Sequence, residues 1–266
     1  MNLVKHCIVR PGSKLRLRHR DPDDTLGQQR DDRALEKTLR RLRELQHLLY
    51  ADKRYALLIV LQALDAGGKD GTIRHVMSGV NPQGCEVFSF KAPTNEELAH
   101  DFLWRIHRAT PSKGNIGIFN RSHYEDVLIV RVHNLVPNAV WHKRYRQIND
   151  FEQMLTENGV TILKFFLHIS RAEQKRRFQA RIEDSSRNWK LSLPDFEERQ
   201  HWDDYMAAYE DALSRCSTDH APWYVIPANK KWFRNYVVAE LVVQALDNMR
   251  LKYPAPTVDM SKIVLD

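Results

Sequence analysis

The sequence predicts an α/β fold in three layers, a five-stranded parallel sheet between helices, completed by a helical lid. Three observations predict it. Short apolar runs alternate with segments of helical period along the whole chain. The first apolar run ends in a glycine-rich turn that opens a helix. The chain has 266 residues, 42% of them hydrophobic and 28% charged, which is enough for the core of one large domain. The same composition excludes a disordered chain, a collagen-like repeat and a disulfide mini-protein.

The elements follow in order. Residues 1–28 carry Pro11, Gly12, Pro22 and Gly27 and read as an N-terminal arm; 29–266 read as a single domain. Leu35, Leu39, Leu42, Leu45 and Leu49, three and four apart, make 29–50 an amphipathic helix. Ala56 to Leu64 is a continuous apolar run, as a buried parallel strand requires. A helix is expected from Asp70 to Val80, a strand from Cys85 to Phe90, and a helix from Glu96 to Arg108 capped by Thr94 or Asn95. Asn115 to Phe119 is the third strand. Trp141, Tyr145, Ile148, Phe151 and Leu155 mark a helix, and Val160 to Leu167 the fourth strand. Helices at 171–183 and 195–214 precede a fifth strand, Trp223 to Ile226, and a closing helix, Lys231 to Arg250. Trp189, Trp202, Tyr205 and Tyr209 read as packing residues.

No apolar run reaches the roughly 18 residues that span a bilayer, and residues 1–20 lack the pattern of a signal peptide. Cys7, Cys85 and Cys216 are odd in number and far apart, which speaks against a disulfide framework. A cytoplasmic protein without a membrane partner is expected. The net charge is +7, and it is uneven. Residues 1–50 hold twelve Lys/Arg against seven Asp/Glu, and residues 171–190 hold seven against three. Basic districts suit anionic partners, although charge runs are also common on solvated helix faces.

Two segments carry chemistry. The first is Leu64-Asp65-Ala66-Gly67-Gly68-Lys69-Asp70-Gly71-Thr72, between strand and helix. A phosphate needs inward N–H groups, little side-chain bulk and the positive end of a helix dipole. Gly67, Gly68 and Gly71 meet the first two needs, and Lys69 adds a mobile charge. Ala66 to Thr72 are therefore the candidate phosphate-binding residues. The pattern approaches G-x-x-x-x-G-K-[ST], with Ala63 at the first glycine and Asp70 where a Mg2+-binding hydroxyl would stand. Asp65 is a candidate metal ligand, or a base. The second segment is Asn115 to Asp126, a strand that delivers Asn120-Arg121-Ser122-His123-Tyr124-Glu125-Asp126 to its carboxyl end, where open α/β sheets bind ligands. Arg121 is placed to neutralise a phosphate, and Glu125 or Asp126 to hold Mg2+. Arg131 comes within reach if a strand-like stretch turns back. His123 has no partner at metal-ligand spacing.

These two motifs resemble those of the family-2 polyphosphate kinases, relatives of the thymidylate-kinase-like P-loop enzymes. The likeness runs from about residue 30 to residue 250 and includes a lid-like region, Arg177 to Lys190. It implies a P-loop kinase-like fold with a lid at about 171–215. The implied activity is reversible, Mg2+-dependent phosphoryl transfer from polyphosphate to AMP or ADP, with Mn2+ as a substitute metal. On this reading Asp65, Lys69, Arg121 and Asp126 are catalytic, Asp65 and Asp126 hold the metal, and Asn120, His123 and Glu125 lie on the nucleotide side. Arg177, Arg181, Arg187 and Lys190 line the donor's track or close on the transferring phosphate. Many family members have Asp where Asn120 stands, which puts more weight on Asp126; this variant resembles the branch called class III, which implies both AMP and ADP as acceptors. A homo-oligomer, dimer or tetramer, is expected. An ATP-dependent kinase of a nucleoside monophosphate or small metabolite shares the loop but needs no basic track. A nucleic-acid-binding protein is disfavoured, because no recognisable module interleaves aromatic and basic residues.

Overall fold

The computed structural model describes residues 3–263. The outermost residues of the 1–28 arm and of the 29–266 domain, 1–2 and 264–266, lie outside the described residues. Strands β1 (Ala56–Gln62), β2 (Cys85–Ser89), β3 (Ile116–Asn120), β4 (Val160–His168) and β5 (Trp223–Pro227) form one parallel sheet in the order β2-β3-β1-β4-β5. All seven residues of β1 are buried. Leu57, Ile59 and Leu61 face one layer, Ala56, Leu58 and Val60 the other, so β1 is covered twice and has no polar alternation.

Helices α1 (Asp32–Asp52), α2 (Lys69–Val76) and α6 (Lys231–Asn248) cover the first face. Helices α3 (Asn138–Glu157) and α5 (Trp202–Arg215) cover the second. Asp31 caps α1 by accepting from the Arg33 and Ala34 N–H groups. Helix α4 (Arg171–Ile182) follows β4, capped by Ser170. The leading segment packs against the body, with Cys7, Val9, Leu15 and Leu17 buried. Ile8 makes an antiparallel bridge to Tyr224 at the β5 edge. At the opposite edge, Val87 of β2 is half exposed.

Three expectations change. The helix expected over 96–108 is two short ones, Asn95–Leu98 and Trp104–Arg108. Thr94 and Glu97 form a capping box at the first, and Asp101 breaks the run by accepting from the Leu103 N–H in a turn. The helix expected over 195–214 likewise divides into Leu193–Glu198 and α5. The stretch between Asp126 and Arg131 is helical rather than strand-like, with a 3-10 segment His123–Val127 followed by a short helix Ile129–Val132.

Candidate active site

The parallel register sets Leu61 beside Asn120, so the loops after β1 and β3 leave the sheet side by side. The loop after β1 bends tightly: Ala66 and Gly68 have φ of 59° and 106°. A Cβ at Gly67 would stand 2.5 Å from the Ala63 Cβ and 2.7 Å from the Leu64 oxygen, so only glycine fits. Lys69 begins α2 directly after this turn. Its buried Nζ donates to the Ala63 carbonyl at 2.7 Å and faces that of Leu64 at 3.5 Å. Burial, and then Arg121, lowers the Lys69 pKa to about 8 against the opposing pull of Asp65, Glu125 and Asp70. The Thr72 hydroxyl is engaged within its own helix, donating to the Gly68 carbonyl at 3.1 Å. Gly71 lies against Arg234. Asp70 accepts from the Asn120 amide at 2.9 Å and lies 3.8 Å from Lys190 Nζ.

Arg121 stands in the left-handed region, φ 63°, where the chain leaves β3. Its Nη2 donates to Asp65 Oδ1 at 2.6 Å and its Nη1 to Glu125 Oε2 at 3.3 Å. Burial opposes its charge, but the Glu125 and Asp65 carboxylates more than compensate and hold it protonated. Asp65, Lys69, Arg121 and Glu125 thus converge. The other expected residues lie elsewhere. Asp126 accepts from Arg144 Nη1 at 2.8 Å; burial raises its pKa to about 6 in spite of that arginine. Arg131 is committed to Asp211 at 2.7 Å, with Tyr145 at 3.4 Å, and lies over the Trp141 ring, so it packs α5 against α3 and does not reach the phosphate loop. His123 is fully buried. Its Nε2 pairs with Glu152 at 3.2 Å, and Glu152 also accepts from the Tyr124 hydroxyl at 2.8 Å and from Lys164 at 2.5 Å. This buried network leaves His123 no route to a nucleotide.

Lid residues divide in the same way. Arg177 is buried and gives its N–H groups to protein acceptors. Arg181 lies over the Phe178 ring, and Arg187 pairs with Asp184. Trp189 is 77% exposed and does not pack, unlike Trp202, Tyr205 and Tyr209. Those three line a cavity with Asp65, Arg121, Glu125 and Arg199.

Sequence reasoning missed Arg234, buried in α6. Its Nε and Nη2 donate only to the Asn235 side chain, and among the described residues no carboxylate pairs with it. An arginine among the apolar residues Trp232, Phe233, Val237 and Val238 was the available signal. It also missed Arg199, and Gln174, whose amide donates to the Asp65 carbonyl. For a metal, the hard oxygens of Asp65 and Glu125 both meet Arg121, whereas Asp126 is occupied by Arg144. Among the described residues no group of three or more His, Cys, Asp or Glu assembles. That donor set fits Mg2+, which takes one or two carboxylates and completes its shell with phosphate oxygens and water.

A glycine-rich loop ending in lysine at a helix N-terminus, beside an arginine held by two carboxylates, defines a P-loop phosphoryl-transfer enzyme. The chain belongs to the polyphosphate kinase 2 family, whose model matches residues 25–254. It is 53% identical to the AMP/ADP-polyphosphate phosphotransferase of Meiothermus ruber over 267 aligned positions, 99% of this chain and all of that one. It is 53% identical to the ADP-polyphosphate phosphotransferase of Rhodopseudomonas palustris over 229 positions, 82% of this chain and 79% of that one. The crystal structure of polyphosphate kinase 2 from Arthrobacter aurescens TC1 superposes with a TM-score of 0.94 at 44% identity, covering 98% of this chain and 94% of that one.

Proposed function

We propose that this protein transfers the terminal phosphoryl group of inorganic polyphosphate to AMP and ADP, reversibly. The observation that carries the reading is the 53% identity to an AMP/ADP-polyphosphate phosphotransferase over the full length of both chains. The relatives do not favour the ATP-dependent alternative. The charge around the loop supports a polyanionic donor. Burial, and then Arg177, Arg234, Arg176 and Arg187, lowers the Lys231 pKa; burial, and then Arg74, Arg234 and Lys231, lowers that of His75. These cations repel one another, and a chain of phosphates relieves that repulsion.

In transfer, Lys69 turns from its own carbonyls to the phosphoryl oxygens, and Arg121 spreads the charge developing on them. Asp65 and Glu125 hold Arg121 in place. Mg2+, or Mn2+ in its stead, would be held by Asp65, with Glu125 and Asp126 as the next carboxylates, and it neutralises phosphate charge. Asp65→Asn should raise the Mg2+ concentration for half-maximal rate about tenfold or more, and Asp126→Asn less, because Arg144 already holds Asp126. Wild-type Mg2+ dependence in both variants would mean that phosphates and water alone hold the ion. Buried, unpaired Cys7 and Cys216 suit a cytoplasmic enzyme, and the open β2 edge and exposed Leu98 suit a homo-oligomer. Incubation of the purified protein with polyphosphate, Mg2+ and AMP or ADP should yield ADP or ATP. Product formation only with ATP as donor would overturn the reading.

A further inference from the structure

The phosphate loop has little means of holding its own shape. Ala66 has φ 59°, a region an alanine does not adopt unaided. Around it stand glycines, whose side chains cannot restrain anything. The restraint comes from α4. Gln174 Nε2 donates to the Asp65 carbonyl at 2.9 Å. Arg177 Nη1 donates to those of Ala66 and Gly67, each at 2.9 Å. One helix thus grips three successive carbonyls.

The other donors of Arg177 are also engaged. Its Nε binds Glu173 Oε1 at 2.7 Å, and its Nη2 reaches the Ala228 and Asn229 carbonyls at 2.5 and 3.1 Å. A guanidinium has five N–H donors, and these are five acceptors. None is left for a phosphate. Gln174 is fixed in turn, because its amide oxygen accepts from Arg199 at 2.6 Å. Both residues are buried, at 2% and 7% exposure.

We propose that Gln174 and Arg177 are positioning residues for the transfer, which hold the phosphate loop by its carbonyls and touch neither substrate. In a trans peptide the C=O and the next N–H point in opposite directions. Holding the Asp65 and Gly67 carbonyls against α4 therefore turns the N–H groups of Ala66 and Gly68 away from α4, toward the anion. The Gly67 N–H closes the turn on the Leu64 carbonyl at 2.9 Å. Arg177 also ties the loop after β5 to the phosphate loop through Ala228 and Asn229. The conclusion replaces the expected role of Arg177 as a contact of the polyphosphate chain.

Arg177→Lys keeps the charge but offers its donors from one point, which cannot serve acceptors on several sides. Its kcat at saturating polyphosphate should fall about a hundredfold. The salt dependence of its KM for polyphosphate should match the wild type. Amide exchange at residues 66–71 should accelerate by more than in β1, and by more than any fall in Tm accounts for. Gln174→Leu loses one hydrogen bond to the loop together with the one it accepts from Arg199, so its kcat should fall about three- to tenfold, with faster exchange in the same loop. A near-wild-type kcat in Arg177→Lys would overturn the proposal. So would an Arg177→Gln variant with a flatter salt dependence and unchanged loop exchange, which would make Arg177 a charge contact of the donor. If the Arg177 variants do not fold, unchanged loop exchange in Gln174→Leu overturns it. The proposal rests on the loop being the phosphate site. The exchange measurement needs no substrate, so a wild type inactive with polyphosphate would fail the functional reading without producing the outcome that fails this one.

Discussion

The loops after β1 and β3 lie side by side at the carboxyl edge of the sheet, and they are held in opposite ways. The phosphate loop is held by its backbone, from outside, through Gln174 and Arg177. The loop after β3 is held by its side chains, from below. His123 and Tyr124 reach down to Glu152, which Lys164 neutralises at 2.5 Å while donating also to the Cys216 carbonyl at 2.6 Å. Lys164 and His123 keep the Glu152 carboxyl below its ordinary pKa although burial pulls the other way, and burial keeps His123 neutral. The difference follows from residue type. Between Asp65 and Lys69 the Gly and Ala residues offer only carbonyls to grip, whereas the stretch from Arg121 to Glu125 can divide its side chains between anchoring and chemistry. Function and stability should therefore separate in the first loop and stay joined in the second.

The largest test of that separation is Lys69→Ala. Turnover should fall about a thousandfold, with Tm close to wild type, since the side chain meets only its own loop's carbonyls. Near-normal turnover in a folded variant would remove the P-loop reading altogether. Next is Lys164→Met, which leaves the Glu152 carboxylate buried without its cation. Urea unfolding should show a loss of about 3–5 kcal/mol, and activity should fall with it as Arg121 loses its support. A double change, Lys164→Met with Glu152→Met, should recover only part of the stability, because His123 and Tyr124 then lack their acceptor; a single variant of wild-type stability would show that the network anchors nothing.

A finer test uses pH. The Lys69 ammonium has its pKa lowered to about 8, chiefly by burial, and on the proposed function polyphosphate binds the charged form. Above pH 8 the free enzyme must take up a proton to bind, so KM for polyphosphate should rise about tenfold per pH unit. Below pH 8 it should be level in this group. A flat KM between pH 7.5 and 9.5 would mean that the lysine stays charged or does not meet the donor. The smallest expected effect separates two basic surfaces. Neutralising Lys231 should flatten the salt dependence of KM for long polyphosphate by about one phosphate contact. Neutralising Arg187, which pairs with Asp184 at 2.8 Å, should change it less. Equal slopes in both variants would return the α6 end to the status of a solvated face.

The strands were legible because each is a short apolar run closed by turn residues, and all five appear within three residues of their expected ends. The phosphate loop was legible because glycine spacing and helix order are local properties. Contacts between distant residues were not. Arg177 and Arg181, four apart, read as one charged face, yet Arg177 turns inward to carbonyls more than a hundred residues away in sequence. Asp126 reads as a free carboxylate, whereas Arg144, from another helix, is already paired with it. Lys164 lies inside an apolar strand, and nothing local identifies Glu152 on α3 as its partner. Arg131 was misplaced because its stretch is helical, and Trp189 because the segment that carries it lies on the surface.

The leading segment shields the sheet where β5 would otherwise be bare. Val9 donates to the Trp223 carbonyl at 2.8 Å, the Ser217 hydroxyl donates to the Val9 carbonyl, and Leu15 and Leu17 bury their side chains against the body. A chain shortened to begin at residue 29 would present an unpaired parallel edge at one side of the sheet while β2 remains open at the other. Such a fragment should precipitate or form fibres on expression, so anyone trimming this protein, fusing it to a carrier or permuting its ends should treat the stretch from Cys7 to Leu17 as part of the folding unit.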